Sequence, residues 1–399
     1  MKWEYKTLDQ LGTVSRGKSK HRPRNDPKLF GGKYPFIQTA DVKNADYYIT
    51  KYSDTYNESG LAQSKLWDKG TLCITIAANI ADTGVLAFPA CFPDSIMGFV
   101  PFEGVANTRF IKYCFDRLQR DCKQISQGTA QDNLSWEKLS TIKFCIPEYK
   151  EQCRIADILS AYDDLIENNQ KQIKLLEEAA QRLYKEWFVD LRFPGHENTK
   201  IVDGVPEGWN WCKLEDAIQL DPKVTLTKER MKQFVPMSAL STASMVLDES
   251  QFTETSSNSG SKFQNGDTLL ARITPCLENG KTAYVSGLKS DEGAVGSTEY
   301  IVMRAKTINS YMVYLLARTD DFRQSAINSM SGSDGRQRVK SDKLKMLDYL
   351  HPVSELVEKF ENVEEPIFEK IYRLSKQMQQ AKQARDLLLP KLMSGEVEV

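Results

Sequence analysis

A heptad seam written twice constrains this chain more than any other feature. Between about Glu148 and Phe188, apolar residues fall at Ile155, Leu159, Tyr162, Ile166, Ile173, Leu176, Ala180, Leu183 and Trp187. With Asn169 in the one gap, the steps alternate four and three, the period of a helix that presents one stripe to a partner helix. The same register recurs 205 residues later at Phe360, Ile367, Ile371, Leu374, Met378, Ala381, Leu388 and Leu392, with Glu364 and Arg385 as polar breaks. One isolated seam of this length needs a partner chain, whereas two of the same phase in one chain can bury each other.

Punctuation residues repeat with the seam. Trp3 and Leu8 match Trp209 and Leu214 at an offset of 206, and Gly70 and Gly84 match Gly266 and Gly280 at 196. Leu139 and Pro147 match Leu344 and Pro352 at 205. A near-constant offset marks a tandem repeat. The expected organisation is a mixed α/β domain over 1–147, a long helix over 148–190 and a linker over 191–208. A second domain follows over 209–352, then a second long helix and tail over 353–399. The fold class is α+β: two mixed α/β domains in tandem, separated by two long helices packed as an antiparallel coiled coil. Short β runs are expected at Tyr34–Gln38, Thr71–Ala77 and Val85–Phe88, and a helix at Thr108–Cys122. Pro366 and Pro390 each stand to kink or delimit the second long helix.

Motifs of catalysis are missing. There is no GxxxxGK[ST], no GxGxxG after a strand, no Asp/Asn-Pro-Pro-aromatic tetrapeptide, no GxSxG and no HExxH. Glu4-Tyr5-Lys6 and Glu148-Tyr149-Lys150 have the Glu-x-Lys spacing of metal-dependent nucleases but lack an acidic partner. Eight cysteines without a CxxC pair, beside three histidines, argue against a zinc site. The chain reads as non-catalytic, with no metal and no cofactor of its own. No apolar signal region follows Met1, and the most apolar window, Leu72 to Phe102, is cut by Asn79, Asp82, Pro89, Pro93 and Asp94. A cytoplasmic, reduced protein with no membrane partner is expected.

Formal charge is −1, so any nucleic-acid site must be a local patch. The first domain opens on one, with Lys18, Lys20, His21, Arg22, Arg24 and Lys33 in a loop that Pro23, Pro27, Gly31 and Gly32 keep from being helical. In the second domain Ser333, Arg336, Gln337, Arg338 and Lys340 follow a Ser/Gly run, and Arg272 and Lys281 flank the Gly-rich strand region before them. Arg suits guanine O6/N7 and Gln suits adenine N6/N7, while Ser and Gly amides suit phosphate. The matching stretch of the first domain, Gln127 to Asn133, carries Thr129 and Gln131 in place of arginines. Matched position with different polar residues is what two readers of different sequences would show. An ordinary solvated loop and an ordinary capped helix start remain open alternatives on spacing alone.

Several stretches resemble one family. They include Phe30-Gly31-Gly32-Lys33-Tyr34-Pro35-Phe36, Gly266-Asp267-Thr268-Leu269-Leu270-Ala271-Arg272-Ile273-Thr274-Pro275 and Gly296-Ser297-Thr298-Glu299-Tyr300. Val205-Pro206-Glu207-Gly208-Trp209, Leu183-Tyr184-Lys185-Glu186-Trp187-Phe188 and the final Leu388-Leu389-Pro390-Lys391-Leu392-Met393-Ser394-Gly395-Glu396 belong with them. Together, in this order and in duplicate, they are similar to the specificity (S) subunit of type I restriction–modification enzymes. The resemblance implies two target-recognition domains, each reading one half of a bipartite site in double-stranded DNA. It implies helices that space the readers and dock two methyltransferase (M) subunits. S-adenosylmethionine would bind those partners, and ATP and Mg would serve a restriction (R) subunit where one is present. The first domain lacks the Thr-Pro and Ser-Thr-Glu texts of the second. Competing readings are a coiled-coil scaffold carrying two non-DNA modules, a stand-alone enzyme and a homodimer built on the seam.

Overall fold

A computed structural model describes residues 3–76, 82–125, 136–332 and 337–399. The chain divides into two units, Met1–Ile166 with Gln380–Val399, and Glu167–Gln379. The division falls inside the long helices, so each unit holds one domain and a stretch of both helices.

In the first unit one sheet runs Gly12–Arg16, Ile96–Pro101, Leu72–Thr75, Thr83–Leu86, Tyr48–Ile49. A second runs Asp54–Tyr56, Phe30–Phe36, Ala90–Cys91, Leu66–Trp67, with Phe36 pairing parallel to Cys91. Leu72–Thr75 and Thr83–Leu86 are buried at every residue, which is why they read as continuous apolar runs and not as alternations. Leu72, Ile74, Met97 and Phe99 share one cluster with Phe110, Ile111 and Phe115 of the helix Thr108–Ile125. Trp67 stacks on Phe92 with ring centroids 4.9 Å apart, over Gly98. A Cβ at Gly98 would lie 2.5 Å from the Trp67 ring, so only glycine fits there.

The second unit repeats this order except for Tyr48–Ile49, which has no counterpart there. One sheet runs Ile218–Leu220, Tyr300–Ala305, Thr268–Ala271, Thr282–Tyr284. The other runs Thr253–Thr255, Lys232–Val235, Ala294–Gly296, Ser261–Phe263, again with one parallel pair, Phe234 on Val295. Each domain is closed by a ladder of its first strand with its last. Glu4–Lys6 pairs with Phe144–Ile146, and Asn210–Lys213 pairs with Asp348–His351. The repeat read from punctuation is thus a repeat of topology. Where the first unit has the single helix Thr108–Ile125, the second has two, Ser310–Arg318 and Asp320–Asn328, broken at Thr319, whose hydroxyl accepts from the Phe322 amide.

Several boundaries move. The strand expected at Tyr34–Gln38 is Phe30–Phe36, because Gln38 caps the helix Thr39–Lys43. The runs expected at Thr71–Ala77 and Val85–Phe88 become Leu72–Thr75 and Thr83–Leu86. The helix expected at Thr108–Cys122 reaches Ile125. Pro366 and Pro390 do not end the second long helix, which runs unbroken over Ser354–Ser394. Both prolines are exposed, so water can satisfy the carbonyls they leave unpaired.

The first long helix spans Tyr149–Tyr184 and continues as a π-turn over Lys185–Val189. Within the second unit Trp187, Tyr184 and Phe188 pack on Phe360, and the Asn169 side-chain amide donates to the Leu374 carbonyl at 3.4 Å. High numbers on one helix meet low numbers on the other, so the pair is antiparallel. The buried stripe departs from the strict heptad. Ile155, Leu159, Ile166, Ile173, Trp187, Ile371 and Leu374 are buried as expected. Tyr162, Leu176, Leu183, Ile367 and Leu388 are only half-buried, and Asp163, Glu177, Tyr184, Phe368 and Leu389 take the covered places beside them. Met378 is half-buried as well. A straight helix of about 3.6 residues per turn drifts roughly 20° per heptad, and here the drift is used. The helix also packs on its own domains. Asp163 accepts from the Tyr113 hydroxyl at 2.5 Å and from Arg385, and Glu177 accepts from Ser244 Oγ at 2.7 Å and the Met245 amide at 2.8 Å.

Of the two polar breaks in the second helix, Arg385 pairs with Asp163, while neither carboxylate oxygen of the fully buried Glu364 has a hydrogen-bond partner. Burial pushes the Glu364 carboxyl up from 4.5 to about 7. Its proton is therefore held longer in the folded state than in the unfolded one. Stability is full below about pH 4.5, falls as pH rises through 7 and is level above. Glu364→Gln should remove most of this slope and be more stable than the parent at pH 8 by about 3 kcal/mol. Denaturant unfolding of both proteins at pH 5 and pH 8 measures it; equal slopes for the two would mean that Glu364 is ionised at no such cost.

Candidate nucleic-acid interface

The opening loop of the first unit is pinned by short hydrogen bonds along its backbone. The Gly17 amide donates to the Ile96 carbonyl at 2.8 Å and the Lys18 amide to Phe92 at 3.0 Å. The Gln63 side-chain oxygen accepts from the amides of both Lys20 and His21, at 2.6 and 3.0 Å. Ser64 Oγ donates to the Lys18 carbonyl at 2.7 Å. The Lys18 and Lys20 side chains project from this frame, exposed and with no carboxylate within ion-pair distance.

The remaining basic residues of the loop have partners. His21 Nε2 lies 2.9 Å from Asp26, and the Lys28 amide with His21 holds the Asp26 carboxyl below its usual range. Arg22 donates to the Ser19 and His21 carbonyls at 2.7 and 2.8 Å. Arg24 Nη2 meets both oxygens of Asp94, at 2.7 and 2.9 Å, and Arg22 approaches the same carboxylate at 4.0 Å. Lys33 pairs with Glu58 at 3.2 Å beside the Tyr34 ring.

In the second unit the sequence candidates divide in the same way. Arg272 donates from Nε and Nη2 to the Val339 carbonyl, at 3.0 and 2.8 Å, and Lys281 donates to the Met237 carbonyl at 2.9 Å. Both serve their own backbone. Arg338 exchanges backbone hydrogen bonds with Ser331, 3.0 Å each way, and its guanidinium grips Glu299 through Nε and Nη2 at 2.7 to 3.0 Å. That contact holds the Glu299 carboxyl below its ordinary value. The Gln337 carbonyl accepts from the Thr274 amide at 3.1 Å. Lys340 is exposed with no carboxylate within ion-pair distance. Thr129, Gln131, Ser333 and Arg336 lie outside the described residues.

Two residues missed by the sequence reading hold these arginines. Asp94 and Glu299 occupy the same connection in the two domains, before Ile96–Pro101 and before Tyr300–Ala305. They stand 205 residues apart, the offset of the long helices, and that arithmetic is the signal that could have found them. No group of three or more His, Cys, Asp or Glu among the described residues is placed to hold a metal. Among them, too, no helix is long and apolar enough to cross a membrane.

Two copies of one two-sheet domain, each with a stretch of paired long helices and a polar loop surface carrying unpaired lysines, define a two-module protein. Comparison with known proteins shows what the chain is similar to. The type I restriction modification DNA specificity domain matches residues 1–178. The chain is 27% identical over 413 aligned residues to the type I restriction enzyme MjaIX specificity subunit of Methanocaldococcus jannaschii, covering 100% of this chain and 94% of that protein. It is 36% identical over 143 residues to the EcoAI specificity subunit of Escherichia coli, 34% of this chain and 24% of that protein. The crystal structure of a type I restriction–modification S subunit from M. genitalium has the same fold. It covers 98% of this chain and 96% of its own, with a TM-score of 0.58 at 16% identity. Residues 1–178 thus match the specificity domain of type I restriction–modification systems, and the whole chain is similar to specificity subunits of that kind. A scaffold for two non-DNA modules is not favoured.

The pinned loop makes a local prediction. Gln63→Ala removes the acceptor of two backbone amides, each hydrogen bond contributing about 1 kcal/mol net. Local opening at Lys18 and Lys20 should rise roughly 5- to 30-fold. Trypsin cleavage after these lysines under native conditions reads it out, with unchanged global unfolding as the control.

Proposed function

We propose that this chain is the DNA-recognition subunit of a type I restriction–modification complex, with each domain reading one half of a bipartite, asymmetric site. The observation that carries this reading is the duplication of one two-sheet domain, with the same strand order apart from the added Tyr48–Ile49, whose polar loops differ in residue type between copies. Duplication gives two readers of one architecture, and different loop chemistry gives them different targets. Lys18, Lys20 and Lys340 supply unpaired positive charge for the phosphate backbone.

The long helices space the readers and offer docking surfaces for two methyltransferase subunits. Chemistry belongs to those partners, which bind S-adenosylmethionine, flip an adenine out of the duplex and methylate it. A restriction subunit, where present, brings ATP- and Mg-dependent translocation and cleavage.

Mapping methylated adenines in cells that carry this chain with its methyltransferase partner tests the reading. A motif of two short defined halves around an undefined spacer is expected. Replacing 209–352 by the corresponding domain of a relative should change one half and leave the other intact. A continuous motif, or a change in both halves at once, would overturn the two-reader assignment.

A further inference from the structure

Basic side chains on the candidate interface are of two electrostatic kinds. Among the described residues Lys18, Lys20 and Lys340 have no carboxylate within ion-pair distance, although Lys340 lies near enough to Asp342 to help hold its carboxyl below the usual range. Arg338 differs, because its Nε and Nη2 groups are bound to Glu299 at 2.7 to 3.0 Å. Opposite charges in contact cancel almost completely a few ångströms away, so this pair adds little to the attraction of a polyanion. A phosphate brought to Arg338 would also lie beside the Glu299 carboxylate and be repelled by it. A base edge has no net charge and meets no such penalty.

The geometry suits a base as well. Glu299 engages the Nε side of the guanidinium, while Nη1 has no hydrogen-bond partner among the described residues. The Nη1–Nη2 end is the one that reaches guanine O6 and N7 as a pair. Glu299 fixes the plane of the guanidinium, and the two backbone hydrogen bonds with Ser331 fix the residue that bears it. A reader held this way has less rotamer freedom to lose on binding. In the first domain Asp94, at the matching connection, accepts from Arg24 Nη2 through Oδ2 at 2.9 Å, and Arg22 approaches the same carboxylate at 4.0 Å.

We propose that the carboxylate-backed arginines, Arg338 on Glu299 and Arg24 on Asp94, read base edges, while the unpaired Lys18, Lys20 and Lys340 hold phosphates. Glu299 and Asp94 are positioning residues that also keep their arginines from binding DNA indiscriminately. The proposal rests on the DNA-recognition reading above and sorts its contacts.

The test uses the full chain with its methyltransferase partner. Binding is selected from a random duplex library, and affinity for a non-specific duplex is titrated against salt. Lys340→Ala should weaken all sequences alike and reduce the slope of log affinity against log salt by about 0.9. Arg338→Ala combined with Glu299→Gln removes the arginine without uncovering a carboxylate; it should weaken the selected site by about 5- to 150-fold, relax one base pair of one half-site and leave the slope unchanged. Arg338→Lys keeps the charge and the partner but not the forked geometry, so it should also relax that base pair at unchanged slope. Glu299→Gln frees the arginine's charge. It should tighten non-specific binding and steepen the slope by about 0.9, with poorer discrimination. Uniform weakening and a shallower slope for the double variant would overturn the proposal. So would a Glu299→Gln variant that matches the parent in slope and selectivity. A parent complex with no sequence preference would overturn the DNA-recognition reading itself, and the proposal with it; the signature is that the unmodified protein already fails.

Discussion

Asp163 fastens three elements of the first unit at one point. Its carboxylate takes the Tyr113 hydroxyl from the domain's helix and the Arg385 guanidinium from the second long helix. Burial pushes this carboxyl up and Arg385 draws it back, so the charge is tolerable only while all three stay in place. Such a group gives little net stability, but removing one partner is costly, and that penalises any slip of one helix along the other. Glu177 plays a comparable part in the second unit, bound to Ser244 and the Met245 amide. The helices are thus fixed in register by polar contacts to their domains as much as by the apolar stripe.

How much of this could be read from the sequence follows from the physics. The seam was legible because burial on one stripe leaves a period, and the repeat was legible because turns and closing strands demand the same residues twice. The drift of the stripe from Tyr162 to Asp163 and from Leu176 to Glu177 was not. Those positions answer to residues 50 and 67 places away in the domains, Tyr113 and Ser244. Arg385 and Glu364 looked alike as polar breaks, yet one is paired and the other is not. Charge type alone does not reveal partners that lie far off in sequence.

The interface teaches the same lesson. Arg272 and Lys281 carried the right chemistry for DNA, but their N–H groups go to Val339 and Met237. Composition cannot separate an arginine that props a loop from one that faces a ligand. In the sequence Asp94 reads only as a break in an apolar window and Glu299 only as part of a family-like text, because a single acid in a loop does not show which arginine it will hold. The first domain lacks the Thr-Pro and Ser-Thr-Glu texts of the second, yet its sheets keep the same strand order apart from the added Tyr48–Ile49.

One feature of the first unit bears on the order of synthesis. Leu389, Leu392 and Met393 belong to the same core as Phe110, Phe115, Ile155 and Leu159. The ladder between Glu4–Lys6 and Phe144–Ile146 can close as soon as that last strand leaves the ribosome. The core against the long helix cannot, because its remaining side chains lie more than 200 residues downstream. During translation the part of this core that Leu389, Leu392 and Met393 fill therefore stays open while the entire second domain is made. Contacts this distant in the chain form late. A nascent chain of this design keeps that part of its core open for most of its synthesis, and a chaperone or a binding partner that covers helices would find it there.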